Sequence, residues 1–119
     1  MVMQILLCES ERMIGEMISE YLSPLGFKVA FANSETKCLE FIEKRIPDVV
    51  ILDTHMVHLD CRRTVRKIRE KGIKTPVLLL SSDYGITSQA EAVAMGANGF
   101  LEKPLRLKDL LSKVVGVVA

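Results

Sequence analysis

The chain has 119 residues, 49% hydrophobic and 26% charged, which suits one ordinary folded domain and excludes a disordered tail. Sixteen Lys and Arg against fifteen Asp and Glu leave almost no net charge, so no global field draws the protein to nucleic acid or to a membrane surface. Cys8, Cys38 and Cys61 are odd in number, widely spaced and free of a CxxC pair, which fits reduced thiols in the cytoplasm better than a disulfide framework. The opening MVMQILLCESER is too short and too soon charged for a signal sequence, and no stretch approaches the ~20 apolar residues of a membrane span.

Along the chain, short apolar runs alternate with segments of helical period. The runs Gln4–Cys8, Phe27–Phe31, Val49–Leu52, Val77–Leu80 and Gly99–Leu101 have strand length, and their lack of in/out alternation predicts strands covered on both faces. The first helix carries Ile14, Met17, Ile18, Tyr21 and Leu22 and stops at Ser23-Pro24, with Gly26 just beyond. The second starts at the capping residue Ser34, places Leu39, Ile42 and Ile46 on one face, and ends before Pro47. The third runs from the N-cap Asp60 through Val65 and Ile68 to Gly72. The fourth includes Ala90, Val93 and Ala94 and ends at Gly96; the last follows Pro104 with Leu107, Leu110, Leu111, Val114 and Val115.

Five β-then-α units joined by short connections predict a single α/β domain over residues 1–119. The expected architecture is a doubly wound, five-stranded parallel sheet of order 2-1-3-4-5, a flavodoxin-like arrangement. Ligands of such sheets bind beyond the carboxyl ends of the strands, where strand order reverses, here between the first and third strands. Glu9-Ser10-Glu11, Asp53, Ser81-Ser82-Asp83 and Glu102-Lys103-Pro104 all end strands at that rim. A carboxylate, a hydroxyl and an ammonium converging there suit phosphoryl transfer to a carboxylate. Asp53 is the nucleophile, Lys103 the fixed positive charge, Ser81 a donor to a phosphoryl oxygen, and Glu9 a holder of a hard cation such as Mg²⁺.

The motifs ILLCESE, PDVVILDTHM, PVLLLSS and GANGFLEKPL together resemble the receiver domains of two-component response regulators, over essentially the whole chain. The separations of 28 residues from Asp53 to Ser81 and 50 from Asp53 to Lys103 are similar to those of the family. The resemblance implies that Asp53 receives phosphate from a sensor histidine kinase or phosphotransfer protein, with the backbone carbonyl of His55 as a Mg²⁺ ligand. It further implies that Ser81 swings toward the phosphoryl group and that Phe100 turns inward as a switch. The face of the fourth helix, fifth strand and fifth helix would then change for a downstream effector or a homodimer partner. Such a domain is a phosphoacceptor rather than an independent enzyme.

Four positions depart from the family pattern. The paired acids after the first strand read Glu9 and Ser10, so the second, normally a direct metal ligand, is a hydroxyl and one charge is missing from the cation site. An alternative role follows from Ser10: a degenerate receiver acting as a phosphorylation-independent interaction module. Val57 stands in place of proline, and Cys61 in place of glycine, which predicts a reshaped loop after the third strand. Asp83 and His55 flank the phosphoryl position and could steer an attacking water, or be plain rim residues. His55, His58 and Cys61 also read as a Zn²⁺ cluster lacking a fourth ligand, a reading set aside, as is the partial match of Asp53-x-His55 to a cobalamin motif. Six cations crowd the third helix, Arg62 to Lys71, without interleaved aromatics; a solvated face or docking patch is expected there rather than a nucleic-acid site. Met13 and Met17 near the rim are candidate partner-docking residues, Met17 alternatively plain core.

Overall fold

The computed structural model describes residues 2–56, 59–82 and 88–118. Val57, His58 and Asp83 lie outside them. The elements in chain order are β1 (Met3–Cys8), α1 (Arg12–Leu22), a 3₁₀ turn (Ser23–Leu25), β2 (Phe27–Ala32), α2 (Glu35–Lys44) and β3 (Val49–Asp53). They continue with α3 (Cys61–Glu70), β4 (Val77–Ser81), α4 (Gln89–Ala94), β5 (Gly99–Glu102) and α5 (Leu107–Val118). All neighbouring strands pair in parallel, in the order β2-β1-β3-β4-β5. The expected topology is present.

The unbroken apolar runs have a simple cause: alternate side chains of one strand enter two different cores. Leu6 and Cys8 of β1, Val50 and Leu52 of β3, and Val77 and Leu79 of β4 face Ile42, Val65, Ile68 and Ala92 of α2, α3 and α4. Ile5 and Leu7, Val49 and Ile51, and Leu78 and Leu80 face Ile18, Leu22, Leu110 and Val114 of α1 and α5. A shift of register by one residue would exchange the two sets, and both are apolar. Register is therefore held by the helix caps and strand ends rather than by side-chain polarity. Ser34 Oγ accepts from Lys37 N–H, Asp60 Oδ1 from the N–H groups of Arg62 and Arg63, and Ser88 Oγ from Glu91 N–H.

Some expectations are corrected at the edges. The edge strand β2 is only partly covered, with Phe31 46% exposed. Its ring lies over α1 at Gly15, where any Cβ would collide with it. The second helix ends at Lys44, because Arg45 turns extended, and so Ile46 falls outside it and is 62% exposed. In α4 the buried residue is Ala92, while Val93 points outward, as does Val115 in α5. Helix period locates a face only to within one residue when the helix is as short as α4.

The cations of α3 have mostly found partners. Arg63 and Lys67 lie near Glu35, Arg66 near Glu70, and Lys71 Nζ is 2.7 Å from Glu43 Oε1. Arg69 turns inward. Its guanidinium donates to the carbonyls of Gly96, Ile73 and Thr75 and to Asn98 Oδ1 at 2.7–3.0 Å. Asn98 Oδ1 also accepts from Val77 N–H, so one side chain ties α3 to the approaches of β4 and β5. Replacing Arg69 by Ala should lower the unfolding free energy by roughly 2–4 kcal/mol, since several acceptors lose a charged donor. Arg69→Lys should recover less than half of that loss in urea unfolding, because an ammonium cannot reproduce the planar fork.

Candidate functional site

Asp53 is the last residue of β3 and is nearly fully buried. A carboxylate so enclosed requires donors, and the described residues supply two. Lys103 Nζ lies 2.9 Å from Oδ2, and the backbone N–H of His55 donates to Oδ1 at 2.9 Å. Lys103 is set in place by the backbone of the neighbouring strand, its N–H donating to the Ser81 carbonyl at 2.8 Å ahead of a cis Lys103–Pro104 peptide. The segment after Asp53 is fastened likewise, through Thr54 N–H and Oγ1, both donating to the Leu80 carbonyl. Residues 50 apart in the chain thus meet because β3, β4 and β5 end at one level.

Ser81 ends β4, one position beyond Leu80, the register partner of Asp53. It is fully buried, and its hydroxyl donates to the Ser82 carbonyl at 3.2 Å. Phe100 is half-buried in β5 and packs against the core under α2, α3 and α4. It also borders a depression of about 340 Å³ with Glu102, Asp109 and Lys113 on the β5–α5 face.

Glu9 is 3% exposed, just past β1. Its Oε1 accepts from the N–H groups of Ser10 and Glu11, whereas Oε2 is buried with no partner among the described residues. Burial, and then the adjoining Asp53 carboxylate, push the Glu9 carboxyl up to about 7, against the lowering pull of the Glu11 N–H and the Lys103 charge. Two carboxyl groups in contact, one carrying an orphaned oxygen, make a site short of positive charge. A hard divalent cation with oxygen ligands and retained water fits that deficit. Ser10 is exposed and lines, with Glu9, Asn33 and Lys37, a cavity of about 410 Å³ beside the rim. It brings no charge to the cation site. His55 is exposed, and among the described residues no group of three or more His, Cys, Asp or Glu side chains is placed to hold a metal. The Zn²⁺ reading would in addition need His58, which lies outside the described residues.

Two features escaped the sequence reading. Thr54 carries no motif signal as the clamp on the Asp53 loop. The cysteines, read as widely spaced, are free, but Cys8 and Cys38 are in contact across the β1–α2 interface. Only a strand-to-helix packing assignment could have revealed that contact. Met13 and Met17 are 82% and 41% exposed, so Met17 is not plain core. Met17 borders, with Ile14 and the Lys103–Leu105 segment, an apolar depression of about 280 Å³ next to the site. Among the described residues no helix is long and apolar enough to cross a membrane.

The chain matches the response regulator receiver domain family over residues 5–115, and it belongs to that family. It is 30% identical over 112 residues to the response regulator MprA of Mycobacterium leprae, covering 94% of this chain and 49% of that protein. The chain thus spans about half the length of such relatives. Among solved structures, a response regulator receiver domain protein from Clostridium thermocellum is similar at 26% identity and a TM-score of 0.89, over 98% of this chain and 94% of that one. The receiver domain of NtrX from Brucella abortus is similar at 26% identity and a TM-score of 0.85, over 96% and 97% of the two chains. The chain is therefore a response regulator receiver domain, of a class that serves phosphorelay signalling. Members of the family bind Mg²⁺ and interact with histidine kinases and effector domains.

The Glu9 carboxyl has a consequence for the metal-free protein. Its folded value of about 7 lies above the ordinary 4.5, so the folded state holds this proton more tightly than the unfolded chain. Below the ordinary value the group costs nothing. As pH rises through the folded value, stability falls, by up to about 3 kcal/mol in all. Urea unfolding in chelator should therefore give a lower free energy at pH 8 than at pH 5, and Glu9→Gln should flatten that slope. An unchanged slope in the variant would assign the pH dependence to another group.

Proposed function

We propose that residues 1–119 act as one receiver unit that takes a phosphoryl group on Asp53 and presents an altered surface to a downstream partner. The observation that carries this reading is the 2.9 Å contact between Lys103 Nζ and the buried Asp53 carboxylate. In the transfer, an Asp53 oxygen forms an O–P bond as the N–P bond of a donor phosphohistidine breaks, and the departing imidazole nitrogen keeps the electron pair and takes up a proton. Lys103 stays within reach of the new phosphoryl oxygens and offsets their charge. Glu9, Asp53 and the backbone carbonyl of His55 would hold Mg²⁺, with water completing the shell in place of the acid missing at Ser10. The bound ion would neutralise charge on the transferring group. Being a phosphoacceptor, the domain would at most promote its own phosphorylation and dephosphorylation.

Ser81 is the group that would move next, because its hydroxyl, which among the described residues holds the neighbouring Ser82 carbonyl, can exchange it for a phosphoryl oxygen. Phe100, half-buried on the adjacent strand, would follow into the space released, changing the α4–β5–α5 face offered to an effector or to a second copy. The donor, a sensor histidine kinase or phosphotransfer protein, would dock over the apolar depression between α1 and residues 103–105, which Met17 borders, with Met13 exposed on the same helix. A cytoplasmic location suits such donors and the free thiols.

Acetyl phosphate with Mg²⁺ should add one phosphoryl mass to the wild type and none to Asp53→Asn, and beryllofluoride should shift the amide resonances of β4 and β5. Lys103→Ala should lower the phosphorylation rate at least tenfold while leaving the fold intact. Ser10→Asp should tighten Mg²⁺ binding about tenfold or more by restoring a charge. The absence of any response in the wild type at millimolar Mg²⁺, together with its appearance in Ser10→Asp, would instead assign the metal-independent interaction module that Ser10 suggests.

A further inference from the structure

Two buried nucleophiles have no part in the phosphoryl chemistry. Cys8 closes β1 and Cys38 lies in α2, 30 residues apart, and neither is exposed. Their sulfur atoms are 2.8 Å apart. Non-bonded heavy atoms rest near ~3.5 Å, and a disulfide brings its sulfurs to ~2.05 Å. The two free thiols are thus in direct hydrogen-bonding contact.

The contact is set by rigid elements rather than by loose side chains. Cys8 is in register with Ala32 of β2 and Leu52 of β3, and the following Glu9 N–H donates to the Ala32 carbonyl. Cys38 is in the first turns of α2, whose start is capped by Ser34 and whose Ile42 is seated in the same core. Cys61, the third thiol, is half-buried at the start of α3 and packs against the edge of the same core. The bonding of Cys38 and then burial raise the Cys8 thiol well above its ordinary range, so Cys8 keeps its proton at neutral pH.

We propose that Cys8 and Cys38 are a reversible disulfide-forming pair, closed by a hydroperoxide, that ties α2 to the end of β1. One sulfur attacks the peroxide O–O bond, becoming a sulfenic acid as water or an alcohol leaves. The second sulfur then displaces the sulfenic hydroxyl, which departs as water with the remaining thiol proton. Two electrons pass from the sulfurs to the peroxide oxygens, and both thiol protons end in the oxygen products. The oxidant reaches the pair when α2 opens locally from the sheet, so closure takes minutes to hours and answers sustained rather than brief oxidation. The link encloses α1 and β2 in one loop and ends one residue before Glu9. It does not depend on the phosphoryl chemistry proposed above.

The test is incubation of the full chain with hydrogen peroxide, then alkylation, digestion and mass analysis, once in buffer and once in urea just below the unfolding midpoint. A Cys8–Cys38 linked peptide that dithiothreitol splits, with Cys61 still alkylated, is the expected result. It should form faster in the urea sample, survive in Cys61→Ser and vanish in Cys38→Ala. The linked protein should also unfold at higher urea than the same sample after reduction, because the crosslink restricts the unfolded chain. No linked peptide in either incubation, or links made through Cys61, would overturn the proposal.

Discussion

A carboxylate with almost no contact with water would be costly at the end of β3 without a cation, and the whole rim is arranged around supplying one. Lys103 reaches Asp53 only because β5 ends level with β3, because the intervening β4 gives its Ser81 carbonyl to Lys103 N–H, and because Thr54 fixes the chain just beyond the acid. Shortening any of these strands by one residue would turn the side chain at its end to the opposite face of the sheet. The ion pair is thus both a product of the sheet register and the reason that register matters.

Next to this pair the charges do not cancel. Glu9 and Asp53 share one Lys, and Glu9 keeps an oxygen without a partner among the described residues. In most buried networks such a remainder would be a defect. Here it has a chemical meaning, because a divalent ion satisfies two carboxyl groups more fully than a proton can. Ser10 weakens this logic in one respect only: it takes away a third charge and leaves the pair of acids in place.

Much of this was readable before any coordinates. The runs of β1, β3 and β4 identify the inner strands because coverage on both faces leaves them few polar residues, and Asp53, Ser81 and Lys103 stand out as polar residues at or just past the ends of apolar runs. What escaped was set by packing between elements remote in the chain. The outward turn of Val93 and the exposure of Ile46 depend on where short helices stop. The contact of Cys8 with Cys38 depends on which side of the sheet α2 covers, which spacing alone does not encode. The elevated Glu9 carboxyl arises from enclosure, a property of the folded shape and not of any motif.

The guanidinium of Arg69 bonds groups that all precede β4 and β5, at the end of the sheet opposite Asp53. The domain is consequently riveted at its base by one guanidinium and tied at its crown by the Lys103–Asp53 pair. Because Thr75 and Asn98 lead directly into β4 and β5, one side chain anchors the foot of both strands, and its loss would loosen them together.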